Sequence, residues 1–78
     1  MRMRLQTFAA PDNWTIVGEV EIHRDRFARL YVDGARVAIV RPMGAFTALV
    51  CSGGAERYVM TSDWNQIQRL PAEGDAGG

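Results

Sequence analysis

The sequence predicts a single α+β domain, an antiparallel meander of five to six strands with one short C-terminal helix packed on a face of the sheet. Three observations predict it. Apolar and polar residues alternate with period two over most of the chain, turn residues interrupt that alternation at short intervals, and only the stretch after Ser62 has the spacing of a helix. The alternative is a small closed barrel of the SH3-like or OB-like kind, because short strands joined by tight turns close up to hide their edges.

A first strand, Arg2 to Phe8, sets Met3 and Leu5 on one face and Arg2, Arg4 and Gln6 on the other, and Ala10-Pro11-Asp12-Asn13 ends it as a turn. A second strand, Trp14 to Ile22, places Trp14, Ile16, Val20 and Ile22 on the core side, and His23-Arg24-Asp25 closes it. The third strand, Arg26 to Val32, runs into Asp33-Gly34, a two-residue hairpin signal whose residues both tolerate positive φ. That loop sets Val32 opposite Ala35, Leu30 opposite Val37 and Ala28 opposite Ile39 in a fourth strand, Ala35 to Arg41. A turn centred on Arg24 would then bring Val20 against Ala28, Gly18 against Leu30 and Ile16 against Val32, so that three strands share one core face.

After Pro42-Met43-Gly44, read as a kink or bulge, come a fifth strand, Phe46 to Cys51, and a sixth, Glu56 to Met60. A two- or four-residue loop through Gly53-Gly54 pairs Leu49 with Tyr58, Ala48 with Val59 and Val50 with Arg57. Both faces of this hairpin are apolar, as in central strands. The helix is expected over Asp63 to Leu70, with Ser62 as N-cap, Asp63 at the positive end of the dipole, Trp64, Ile67 and Leu70 on the packed face, and Pro71 as the stop. Trp14 and Trp64 are both expected in the core. Residues 1–71 form the compact domain, and 72–78, Gly-rich and without an apolar anchor, are expected to be a disordered tail.

With 78 residues the chain buries only about 60% of the surface its unfolded form exposes, which is one core and little else. Its longest uncharged stretch, Pro42 to Ala55, falls short of the roughly 20 apolar residues of a membrane span. Cys51 is the lone cysteine, so no intrachain disulfide is available and a reducing, cytoplasmic setting is expected. The start lacks the apolar run of a signal peptide. Nine basic residues balance nine acidic ones, and every basic residue is an arginine, a bias expected from a GC-rich coding genome and useful for planar, forked recognition.

The outward face of the second to fourth strands carries the candidate site. Its registers put Phe27 against Val40, Tyr31 against Arg36, Val17 against Tyr31 and Glu19 against Arg29, so Phe27, Arg29, Tyr31 and Arg36 make an aromatic and arginine platform unless a helix or a second copy of the chain covers it. Arg24, Arg26 and Arg41 add a basic patch, with Arg26 directly opposite Arg41, where like charges need an anion or an acidic partner between them. Aromatics among arginines also suit single-stranded nucleic acid. A neutral chain with Glu19 and Glu21 nearby lacks the positive surplus that phosphate binding requires.

For catalysis the inventory is poor. His23 falls in a turn and Cys51 ends a strand with neither a base nor an oxyanion donor in sight, Gly53-Gly54 lacks the strand-loop-helix setting of a phosphate cradle, and no group has metal-ligand spacing. The chain is therefore expected to be no enzyme and to carry no cofactor or metal. A non-enzymatic binding module for a larger protein or ribonucleoprotein is the favoured reading. A small nucleic-acid-binding or regulatory domain, and a homo-oligomeric structural component of a phage particle, are the alternatives.

In its length, its all-arginine basic set and its lack of a catalytic constellation, the chain is similar to the small phage-encoded inhibitors of host defence, such as the anti-CRISPR proteins. That group shares no fold or signature, so no functional residue carries over from it. The resemblance implies a partner in a bacterial defence complex such as a CRISPR-Cas effector, bound where nucleic acid would otherwise sit. The chain departs from strongly acidic DNA mimics in having no acidic surplus, so mimicry of a whole duplex is not expected.

Overall fold

The computed structural model describes residues 1–11 and 13–73. Six strands, β1 (Arg2–Ala10), β2 (Asn13–Arg24), β3 (Leu30–Val32), β4 (Ala35–Met43), β5 (Phe46–Cys51) and β6 (Glu56–Met60), are followed by one helix, α1 (Thr61–Ile67). Each strand is antiparallel to the next, and β6 returns to β1 through the Phe8–Tyr58 pair, which closes the sheet into a barrel. The meander and the single short helix are as the sequence predicts. Closure follows the barrel alternative, with every neighbour except the closing β6–β1 pair consecutive in the chain and hence without the Greek-key crossover of an OB barrel. Among the described residues no helix is long and apolar enough to cross a membrane.

The turns explain where the expected registers hold and where they slip. Asp33 and Gly34 take φ of 49° and 82°, a type I′ geometry that keeps Val32 opposite Ala35 and Tyr31 opposite Arg36. The β5–β6 loop has three residues rather than two or four. Gly54, at φ 94°, donates its N–H to the Cys51 carbonyl at 2.8 Å, and Cys51 N–H meets the Ala55 carbonyl. An odd loop shifts the pairing by one residue, so Leu49 faces Arg57, Ala48 faces Tyr58 and Val50 faces Glu56, and every expected partner on β6 is displaced. Met43-Gly44 is no kink: Gly44 and Ala45 form a second tight hairpin loop that sets Met43 opposite Phe46.

Bulges decide the rest. Between Thr7 and Phe8 the register jumps from Gly18 to Ile16, which leaves Val17 as the extra residue of β2. C-terminal to it Val20 and Ile22 face the core; N-terminal to it the faces exchange, and Trp14 (58% exposed) and Ile16 stand on the outside together with Val17. Trp14 is therefore not a core residue. A similar irregularity between Val37 and Ile39 turns Ile39 outward to 49% exposure while Val37 and Val40 pack inward, and the expected Ala28–Ile39 pair is absent because β3 begins only at Leu30.

The core is built from Leu5, Val20, Ile22, Leu30, Val32, Leu49, Cys51, Val59, Ile67 and Leu70, with Met3, Val37, Val40 and Trp64 packed against it. Ile22, Leu49, Val59 and Ile67 are fully enclosed, and truncating any of them costs roughly 2 to 5 kcal/mol, a large part of what holds so small a domain. Two threonines are buried at no penalty. Thr7 Oγ1 donates to the Gly18 carbonyl at 3.0 Å, and Thr61 Oγ1 donates to the Gly44 carbonyl at 2.6 Å, which leaves its oxygen to accept from Thr47 Oγ1 at 2.8 Å.

This hydroxyl relay pins the helix start to Thr61, two residues before the expected first position, with Met60 rather than Ser62 at the cap and no side-chain cap bond. Asp63 lies in the first turn as expected. The helix ends at Ile67, after which turn bonds from Arg69 N–H to Gln66 and from Leu70 N–H to Ile67 tuck Leu70 into the core. The chain then stays attached. Ala72 bridges Arg24 in parallel, Glu73 N–H donates to the Arg24 carbonyl at 3.1 Å, and Glu73 Oε1 lies 2.9 Å from Arg2 Nε. A free tail from Ala72 onward is thus wrong for its first two residues; its remainder, 74–78, lies outside the described residues.

Candidate binding surface

The expected third strand does not begin at Arg26. β2 runs on through His23 and Arg24, β3 starts only at Leu30, and the register is Ile22 with Val32, His23 with Tyr31 and Arg24 with Leu30. Residues 25–29 form a compact loop instead of strand, so the expected pairs of Ala28 with Val20, Leu30 with Gly18 and Val32 with Ile16 are absent. The reason lies in Asp25. Its Oδ1 accepts the backbone N–H of Phe27 at 2.9 Å and of Arg29 at 3.0 Å, and its Oδ2 accepts Arg29 Nε at 2.7 Å and the Tyr31 hydroxyl at 3.1 Å. A short carboxylate that satisfies the loop's own amides competes with the sheet for them and wins.

Backbone bonds close the same loop, from Ala28 N–H to the Asp25 carbonyl and from Asp25 N–H to the Arg29 carbonyl, each at 3.0 Å, while Arg24 Nη1 donates to the Ala28 carbonyl at 3.0 Å. Ala28 sits at φ 64°, a left-handed conformation that an L residue other than glycine adopts at a cost of about 1 to 2 kcal/mol. Desolvation alone would raise the Asp25 carboxyl, but the Arg29, Phe27 and Tyr31 donors overrule it and hold it down at about 2. The Arg29 guanidinium, bonded to that carboxylate, is pushed above its ordinary value.

The loop's product is an outward aromatic. Phe27 is 66% exposed, with the guanidinium carbons of Arg29 and Arg26 lying 5.1 and 5.4 Å from its ring centroid, both within cation-π range. Tyr31 supports the loop from β3, its ring stacked on His23 at 5.3 Å and 13°, and Arg36 is its cross-strand neighbour on β4. His23 Nδ1 is buried there without a hydrogen-bond partner.

Of the seven expected site residues, Arg24, Arg26, Phe27, Arg29 and Tyr31 therefore lie on this loop and the strands that flank it, and Arg36 lies one strand further across, opposite Tyr31, in a geometry different from the expected flat platform. Arg41 is not among them. It faces Ala48 and acts on Tyr58, whose hydroxyl is raised by burial and by Glu56 and is lowered by the Arg41 charge. The expected Arg26–Arg41 pair is absent, Phe27 does not face Val40, and Val17 is not opposite Tyr31. Glu19 pairs with Gln6 and bonds Arg4 at 3.7 Å, so it leaves Arg29 to Asp25.

A second surface has no counterpart in the sequence reading. On the outside of the barrel the Trp14 ring lies 4.5 Å from that of Phe46 and meets Phe8 edge-on at 5.6 Å, and Phe8 meets Phe46 edge-on at 5.1 Å. Exposed Ile16 and Met43 flank this cluster, each as the cross-strand partner of one of its phenylalanines. Gly18 inside an otherwise regular strand was the available sign of the bulge that turns Trp14 and Ile16 outward.

Among the described residues there is no enclosed cavity and no group of three His, Cys, Asp or Glu side chains that could hold a metal ion. Cys51 is buried in the core, away from the loop. No protein-family model, no curated protein and no solved structure matches this chain.

Proposed function

We propose that the chain is a non-enzymatic protein-binding module that acts by occupying a surface of a larger partner, as a small inhibitor of a bacterial defence complex such as a CRISPR-Cas effector would. The single observation that supports this most is Phe27. A large apolar ring stands in solvent on a loop already ordered by the Asp25 carboxylate, so little conformational entropy remains to be lost when a partner closes over it. Aromatic and arginine side chains in such settings carry most of the energy of protein interfaces.

The test is affinity capture with the full chain from a nuclease-treated lysate of a GC-rich bacterium, beside a Phe27→Ala, Arg29→Ala double variant. A stoichiometric protein partner that the variant loses supports the module, and capture that vanishes with nuclease treatment rejects it. The outer cluster around Trp14 supports a second reading, self-association through that face. A scattering mass that stays monomeric across a hundredfold concentration range, roughly micromolar to sub-millimolar, removes that reading.

A further inference from the structure

We infer that the partner of the Asp25 loop is a protein surface that joins an apolar pocket for Phe27 to a rim of carboxylates; the inference rests on the binding-module reading above. Charge matching around the loop carries it. Arg29 is neutralised by Asp25, and Arg2 and Arg4 are taken by Glu21, Glu73 and Glu19, whereas among the described residues Arg24, Arg26 and Arg36 have no carboxylate within ion-pair distance. Arg41, Arg57 and Arg69 are likewise without a carboxylate partner among the described residues, so half of the arginines left unpaired lie on or near the loop that carries the most exposed phenylalanine. Guanidinium groups are weakly hydrated and fork onto carboxylates with two parallel bonds, so they lose little on leaving water for an acidic rim.

The geometry of the ring argues against a nucleobase. Two guanidiniums lie over Phe27, at 5.1 and 5.4 Å from its centroid, and a base stacking on a face they cover would first have to displace them. The ring is 66% exposed and stands clear of the sheet, as an anchor that enters a partner's pocket does. Arg24 ends β2, Arg26 lies in the loop and Arg36 faces Tyr31 from β4, and among the described residues no pocket or groove joins them along which a phosphate backbone could run.

The experiment selects random displayed peptides of about 16 residues on the immobilised full chain, with Phe27→Ala and Arg26→Glu as separate baits and thermal melting as the check that both fold. Oligo-U and oligo-dT are titrated in parallel near 0.15 M salt, about physiological strength. The expected result is enrichment of a large apolar residue flanked by Asp or Glu, retention lowered about tenfold on each variant, and no saturable oligonucleotide binding. Enriched peptides without an acidic bias, equal retention on the variants, or oligonucleotide binding that Phe27→Ala weakens would each overturn the acidic partner. A protein captured from lysate together with peptides lacking that bias rejects the acidic rim and leaves the module standing, whereas failure of both removes the module as well.

Discussion

Phe27 and Trp14 are exposed to similar degrees, 66% and 58%, yet opposite physics puts them in solvent. Phe27 is held out by polar bonds, since Asp25 gathers the amides of its loop, and two guanidiniums lie over its ring. Trp14 is held by apolar contact, its ring lying on Phe46 and against Phe8, both of them buried. The difference separates binding from stability. Removing the first ring deletes the proposed recognition element and is expected to leave the fold alone, whereas removing the second uncovers two buried phenylalanines.

The most damaging test strikes what both surfaces stand on. Leu49→Ala, at a position with no exposure, should cost roughly 2 to 5 kcal/mol in chemical denaturation, a large share of what holds so small a domain. Trp14→Ala comes next, at about 1 to 2 kcal/mol, because it breaks two aromatic contacts as well as uncovering area; a cost no larger than that of Phe27→Ala would erase the contrast between the two regions. Ala28→Gly should stabilise by about 0.5 to 1 kcal/mol, since glycine relieves the left-handed strain and gives back part of the gain through its freer unfolded chain. Phe27→Ala should shift stability by less than about 0.5 kcal/mol while weakening partner capture.

Asp25 sharpens the comparison through pH. Its carboxyl is lowered in the folded chain to about 2 from an ordinary 3.8, so its contribution is fully present above the unfolded value and is lost as pH falls from about 4 towards 2. Asp25→Ala should therefore destabilise at neutral pH, and its melting temperature should converge on that of the parent chain across that acidic window. Amide exchange at Phe27 and Arg29 should quicken in the variant while the Trp14 cluster keeps its near-ultraviolet signal. A difference that persists unchanged below pH 2 would mean that the carboxylate is not what orders the loop.

Much of the fold was legible in the residues. Strand alternation located five of the six strands to within a few positions, and Asp33-Gly34 set its own register because a two-residue loop with positive φ at both positions admits one pairing. The candidate site was legible in composition but not in geometry. Phe27, Arg29 and Tyr31 alternate with Ala28 and Leu30 as a strand does, and nothing in that pattern says that Asp25 will bind the amides of Phe27 and Arg29. Ile39 was misplaced for a related reason: period two is preserved on both sides of a bulge, and the bulge itself leaves no mark except at a glycine such as Gly18 in β2.

The sequence by itself determined the class of the protein, with its antiparallel order, its apolar inventory, its turn at Asp33-Gly34 and its terminal helix, because these depend on periodicities and φ preferences carried by neighbouring residues. Only the tertiary structure decided which apolar residues face the core and which face water. That choice rests on single inserted residues at bulges, on the odd length of the Ser52-Gly53-Gly54 loop and on one carboxylate's competition with the sheet. Each is settled by what packs or bonds across the barrel.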